Sequence, residues 1–243
     1  LHHMQPRLPV RIANTIMRWG KNFLAAVDPF RPTLHRVLHN ERLWILTLLI
    51  IGALLRVPFI DHPQETVFDE PIYADFAILI LQEHPIFDIH PPLARMFFAT
   101  LVSYTDVHTA SLSIITTPDF VPHDFQEFPY AFLRIVMAYI GTLLPLLIFG
   151  VARRLRVSTP WAGLAAFLVL IDPALIVYAR AILPDTLLLV IEFLAIYMAL
   201  WALQTERPLN RFLLGFLAAI LLGFALSIKW IALSIAGIVG LFY

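Results

Sequence analysis

Leu43-Trp44-Ile45-Leu46-Thr47-Leu48-Leu49-Ile50-Ile51-Gly52-Ala53-Leu54-Leu55-Arg56-Val57-Pro58-Phe59-Ile60 is an almost unbroken apolar run. At 1.5 Å of rise per residue it has the length of a membrane-crossing helix. Its two flanks carry opposite charge. Before it, Arg7, Arg11, Arg18, Lys21, Arg31, Arg36 and Arg42 outnumber Asp28 and Glu41; after it, between Asp61 and Pro129, acids dominate and Arg95 is the only Lys or Arg. Because positive charge stays on the cytoplasmic side, residues 1–42 are expected inside and residues 61–129 outside. The composition agrees. The chain is 60% hydrophobic and 14% charged, with a mean hydropathy of +0.80, whereas soluble domains are about 45–50% apolar. An integral membrane protein follows, and nucleic acid is excluded as a partner class.

No cysteine is present, so disulfides are excluded. The first apolar run begins too late and is too long for a cleaved leader, and it is expected to act as a signal anchor. Leu1-His2-His3 before Met4 reads as a tag remnant. Ile12, Ile16, Trp19 and Phe23 mark an amphipathic patch in the basic arm, which either lies on the anionic inner leaflet or is a solvated tail.

Working toward the C-terminus, spans are expected at 43–60, 130–152, 160–178 and 183–203, with a fifth span and the start of a sixth in 212–243. Arg153, Arg154 and Arg156 mark a return to the cytoplasm, and Asp172-Pro173 interrupts the third span late. Arg56 is expected to snorkel to the interface. Within 61–129, Ile72, Phe76, Leu79 and Ile80 share a helical face, and Leu93 to Tyr104 forms a second helix. The fold class is therefore an all-α integral membrane bundle of several spans, with a large first extracytoplasmic loop carrying amphipathic helices.

Phe68-Asp69-Glu70-Pro71 opens the first of those helices. An acidic residue before proline is what a helix start requires, so Asp69 is either a cap or a functional group. Asp69, Glu70, His90, Arg134, Arg180, Asp185 and Lys229 come from different segments, yet the expected topology brings all of them to the same outer interface. A carboxylate near several cations there suits group transfer from a lipid phosphate: the cations neutralise the leaving phosphate, and the carboxylate takes the proton of an incoming hydroxyl. Helix starts at Pro71 and Asp185 add favourable dipoles.

Phe68-Asp69-Glu70, His90-Pro91-Pro92-Leu93-Ala94-Arg95, Arg134, Ala179-Arg180-Ala181-Ile182-Leu183-Pro184-Asp185 and Ser227-Ile228-Lys229-Trp230 resemble, in this order, the motifs of protein O-mannosyltransferases, members of the GT-C glycosyltransferases. The resemblance runs from residue 43 to about 240. It implies a GT-C-type bundle and an inverting transfer of mannose from a polyprenyl-phosphate donor to Ser or Thr of an exported protein. It casts Asp69 as base and Glu70 as its partner. Arg134 becomes a ligand of the donor phosphate, and His90, Arg95, Arg180, Asp185 and Lys229 complete the donor pocket. Pro71 and Tyr73 depart from the Val and Phe of that family, and Arg95 from its Lys. Asp69-Glu70-Pro71 with Tyr73-Ala74 is closer to lipid A aminoarabinose transferases, so a lipid or glycan acceptor and a bacterial plasma membrane are the companion expectations. Membrane lipids are expected partners, no organic cofactor is implied, and a divalent metal is left open. Family members are longer, so the chain is expected to be an N-terminal half. The readings from other classes are a transporter and a catalytically silent scaffold.

Overall fold

In a computed structural model, residues 31–108, 112 and 124–241 are described. The helices are α1 (Arg31–Leu38), α2 (Glu41–Arg56), α3 (Glu70–Leu81), α4 (Leu93–Ser103), α5 (Tyr130–Arg154), α6 (Thr159–Leu170), α7 (Pro173–Ala179), α8 (Pro184–Gln204), α9 (Pro208–Leu226) and α10 (Leu233–Gly240), the last preceded by a 3₁₀ turn, Trp230–Ala232. Among the described residues extended pairing is limited to one antiparallel bridge, Glu65 with Asp124.

Helices α5, α8 and α9 are each long and apolar enough to cross a membrane, and α6 with α7 forms a fourth candidate bent by 61°. Helix α5 is central, packing on α2, α6 and α8, while α9 packs on α8. Leu46, Ile50, Leu54, Phe212 and Phe216 stay exposed on the outside of the bundle. So much apolar surface is stable only against lipid, and the protein is integral to the membrane. Small residues bring the helices close. A Cβ at Gly141 would lie 2.4 Å from the Ala179 Cβ, and one at Gly163 would lie 2.3 Å from the Trp44 ring.

The helix at the first expected span is shorter than the apolar run and is not among those candidates. Helix α2 begins at Glu41, where the Asn40 carboxamide accepts from the Leu43 N–H at 3.2 Å, and it ends at Arg56 after 16 residues. Pro58 then removes a donor, and Phe59 takes a left-handed φ of 53°, so the chain turns instead of continuing to Ile60. Arg56 does not snorkel either, because its side chain is fully buried. The third span breaks where Asp172-Pro173 said it would. Asp172 Oδ1 accepts from the Leu175 N–H at 3.1 Å and starts a new helix, α7. The break orphans the Leu170 carbonyl, and Arg56 supplies the missing donors through Nη1 and Nη2, both at 3.4 Å.

The fifth span starts earlier than expected, at Pro208, and stops at Leu226, where Lys229 adopts an extended φ of −146° before the 3₁₀ turn. In the loop, α3 and α4 pair through Ala74, Ala77, Ile78, Ala94, Phe98 and Val102, and this core is continuous with Leu133, Met137, Ile182 and Ile228 of the bundle. The loop helices are therefore fixed to the spans by shared apolar burial. Residues 31–42, expected as part of the arm, are helical from 31 to 38 and enter α2 at Glu41; the patch from Ile12 to Phe23 and residues 109–111 and 113–123 of the loop, including Asp119, lie outside the described residues.

Candidate functional site

Asp69 and Glu70 are adjacent in sequence and opposite in environment. Asp69 occupies the cap position of α3, but its side chain makes no capping hydrogen bond. It is exposed, and no described residue hydrogen-bonds its carboxylate. The expected alternative of a simple cap therefore fails. Glu70 turns back on the segment before the helix: its Oε2 accepts from the Val67 N–H at 2.9 Å. Phe68, between them, has a φ of 53° and stacks on Tyr178 with centroids 6.1 Å apart. A left-handed aromatic residue costs on the order of 1–2 kcal/mol, and here it is held against the Tyr178 ring.

Glu70 is fully buried and Arg134 is 2% exposed. Arg134 Nε donates to Glu70 Oε1 at 2.8 Å, and Nη2 donates to Oε2 at 2.5 Å. Its remaining capacity goes to the Pro63 carbonyl from Nη1 at 2.5 Å and to the Glu65 carbonyl from Nη2 at 3.1 Å. The rings of Phe125 and Tyr130 flank the guanidinium at 5.2 and 5.0 Å. Glu70 Oε1 also accepts from the Ile182 backbone N–H at 2.8 Å. Arg134, expected to hold the donor phosphate, is thus enclosed and engaged with Glu70. The physical reason is that a buried carboxylate needs a paired, bidentate partner, and position 134 lies one turn into α5, level with it.

Arg180 likewise spends its fork on the chain after α2. Nη1 donates to the carbonyls of Arg56 and Pro58, each at 2.9 Å, and Nη2 donates to that of Phe59 at 2.8 Å. Partial burial, with Arg134 nearby, pulls its pKa below the ordinary guanidinium value.

The remaining expected residues line the open side. Lys229 Nζ donates to both oxygens of Asp185, at 2.8 and 3.0 Å; the two side chains are 19% and 35% exposed. Arg95 lies 3.3 Å from Asp88, sits over the Phe76 ring at 5.4 Å, and donates to the His90 carbonyl at 3.3 Å. His90 Nδ1 is buried without a hydrogen-bond partner. The His90 turn is tied to the other break in the bundle: the Leu93 N–H donates to the Ser227 carbonyl at 2.9 Å, and the Trp230 indole donates to the Ile89 carbonyl at 3.2 Å.

Tyr73 is the centre that the sequence marked only as a departure. Burial, reinforced by the negative charges of Asp185, Asp88 and Asp69 and opposed by Arg95, raises its hydroxyl above the ordinary phenol value. Those charges come from four segments of the chain. Asp88 was also missed; the signal was its position two residues before His90. Glu192 was passed over as well, a buried carboxylate within α8. Among the described residues no group of His, Asp and Glu is placed to hold a metal ion, and the divalent metal left open by the sequence has no ligand set there.

The family model described as dolichyl-phosphate-mannose-protein mannosyltransferase matches residues 45–243. Dolichyl-phosphate-mannose-protein mannosyltransferase 1 of Candida albicans is 30% identical over 210 residues, 84% of this chain and 23% of that protein. Protein O-mannosyltransferase 1 of Drosophila melanogaster is 27% identical over 216 residues, 88% of this chain and 23% of the fly protein. A solved structure, the Saccharomyces cerevisiae protein O-mannosyltransferase Pmt1-Pmt2 complex bound to the sugar donor, is similar with a TM-score of 0.71 and 25% identity, covering 85% of this chain and 29% of that chain. The chain spans less than a third of the length of each.

Proposed function

The chain belongs to the dolichyl-phosphate-mannose-protein mannosyltransferase family over residues 45–243, and from that premise we propose that it carries the donor side of a membrane mannosyltransferase acting on exported proteins. The observation that carries the mechanism is the division of labour between Asp69 and Glu70. Glu70 is buried and fully bonded, so it is a positioning residue; Asp69 is open and unbonded, as a base awaiting a substrate hydroxyl must be. In the proposed step the acceptor oxygen attacks C1 of the mannosyl group, its proton passes to the Asp69 carboxylate, and the bond from C1 to the phosphate oxygen breaks. Attack from the face opposite the leaving group inverts the anomeric centre. The polyprenyl phosphate departs with the electron pair, and Lys229 and Arg95 are the cations on the open side that meet its charge. His90, whose Nδ1 lacks a partner, and the Tyr73 hydroxyl are the groups assigned to bond the sugar in this reading.

The relatives come from fungi and flies and are named for protein substrates, so the companion expectations of a lipid acceptor and a bacterial membrane find no support in them. In the proposed orientation the arginine-rich end, with Arg153 and Arg154, faces the cytoplasm and Asp69 faces away from it. The test is transfer of radiolabelled mannose from its polyprenyl phosphate by membranes containing the full-length protein. Label entering protein, released by β-elimination, is the expected result. Label entering lipid, or transport without consumption of donor, would remove this reading.

A further inference from the structure

At the end of the bundle remote from Asp69, α2, α5 and α8 diverge around a cavity of about 530 Å³, within the range of ligand-binding clefts. Its floor is apolar, with Ile45, Leu147 and Leu194 contributed by the three helices. Its mouth is basic. Arg153 is neutralised there by Glu41, with Nε and Nη2 at 2.8 and 2.6 Å from the same carboxylate oxygen. Arg154 is not. Its guanidinium rests over the rings of Tyr197 and Trp201, at 5.0 and 4.6 Å, and donates only to neutral groups, the Tyr197 hydroxyl at 3.2 Å and the Gln204 carboxamide at 3.5 Å.

Two aromatic rings and two neutral acceptors thus hold a cation in place without cancelling its charge. A guanidinium fork fixed in this way is preorganised for a phosphate oxygen pair. A free anion would use the mouth and leave the apolar floor to water, whereas a bilayer lipid satisfies both. We propose that this cavity binds one anionic phospholipid from the adjoining leaflet, its phosphate on Arg154 and an acyl chain on the floor formed by Ile45, Leu147 and Leu194. Such a lipid would seal α2 against α5 and α8 at the end where their own side chains leave a gap. The proposal is independent of the sugar chemistry at the other end.

The test is native mass spectrometry of the detergent-purified full chain titrated with phosphatidylglycerol, phosphatidylcholine or inorganic phosphate. Wild type is expected to retain one phosphatidylglycerol, with phosphatidylcholine held more weakly and phosphate unable to displace either. Arg154→Gln should weaken phosphatidylglycerol retention about tenfold or more, as expected for one charge-assisted contact, and weaken phosphatidylcholine, whose own ammonium offsets its phosphate, by a smaller factor. Arg154→Lys, which keeps the charge, should retain more than Arg154→Gln. Leu147→Trp fills the floor and leaves the mouth intact, so it should weaken retention even if Arg154→Gln proves too unstable to purify. Equal retention of the two lipids by wild type, displacement by phosphate, or wild-type retention by Leu147→Trp would each overturn the proposal.

Discussion

Asp69 supplies a sharp contrast because a base and a cap respond differently to the same change. Asp69→Asn keeps size and hydrogen-bonding capacity but cannot take up a proton. It is expected to leave thermal unfolding in detergent unchanged while lowering mannosyl transfer by about 10²–10⁴ in the full-length protein; transfer at the wild-type rate would remove Asp69 from the mechanism. Glu70 and Arg134 call for the opposite experiment. Either one alone would be a buried charge without its partner, so Glu70→Gln and Arg134→Met should each destabilise the fold, by about 3–5 kcal/mol for a fully broken pair. The double variant should lose much less than the sum. Arg134→Lys should recover only part, since an ammonium cannot reproduce the fork that holds both carboxylate oxygens. Additive losses in denaturant unfolding would show that the pair is not coupled. The resemblance cast Asp69 as base and Glu70 as its partner, but no local pattern could show their different environments, because the burial of Glu70 is created by Arg134 and Ile182 from distant segments.

Among the elements, the bent pair α6 and α7 was the most legible and its support the least. Asp172-Pro173 is a local signal: a cap followed by a residue that cannot donate backward. Removing the cap in Asp172→Ala should cost about 0.5–2 kcal/mol and Asp172→Asn much less, read as the shift in thermal midpoint. The other half of the break, the donation from Arg56 to Leu170, joins residues 114 apart in sequence, and no pattern in either segment announces it. An arginine near the end of an apolar run ordinarily reaches for the interface; here a free carbonyl closer at hand wins. Arg56→Met should therefore destabilise by about 1–3 kcal/mol through the unmet Leu170 carbonyl, and an unchanged midpoint would assign Arg56 no such part. The short first span has a comparable explanation, since hydropathy alone carried it through Val57 to Ile60 while Pro58 and the turn at Phe59 ended it.

For the whole molecule, membrane character could be read from composition, because it is summed over many residues and survives errors at single positions. Sidedness is open to direct measurement in a chain without cysteine. In sealed membrane vesicles with the cytoplasmic face outward, a cysteine introduced at Arg154 should react with an impermeant reagent, and one at Asp106 should react only after permeabilisation; the reverse would invert the orientation and the assignment of both ends. The bond from the Ile182 N–H to Glu70 also has a consequence for biogenesis. It closes over 112 residues, which a ribosome adding about 5–20 residues per second needs roughly 6–20 s to deliver. Through that interval Glu70 has emerged without its last partner. The growing chain therefore cannot complete the bonding of Glu70 until the link before α8 has been made, so a nascent protein already inserted in the membrane carries a buried carboxylate that still lacks part of its support.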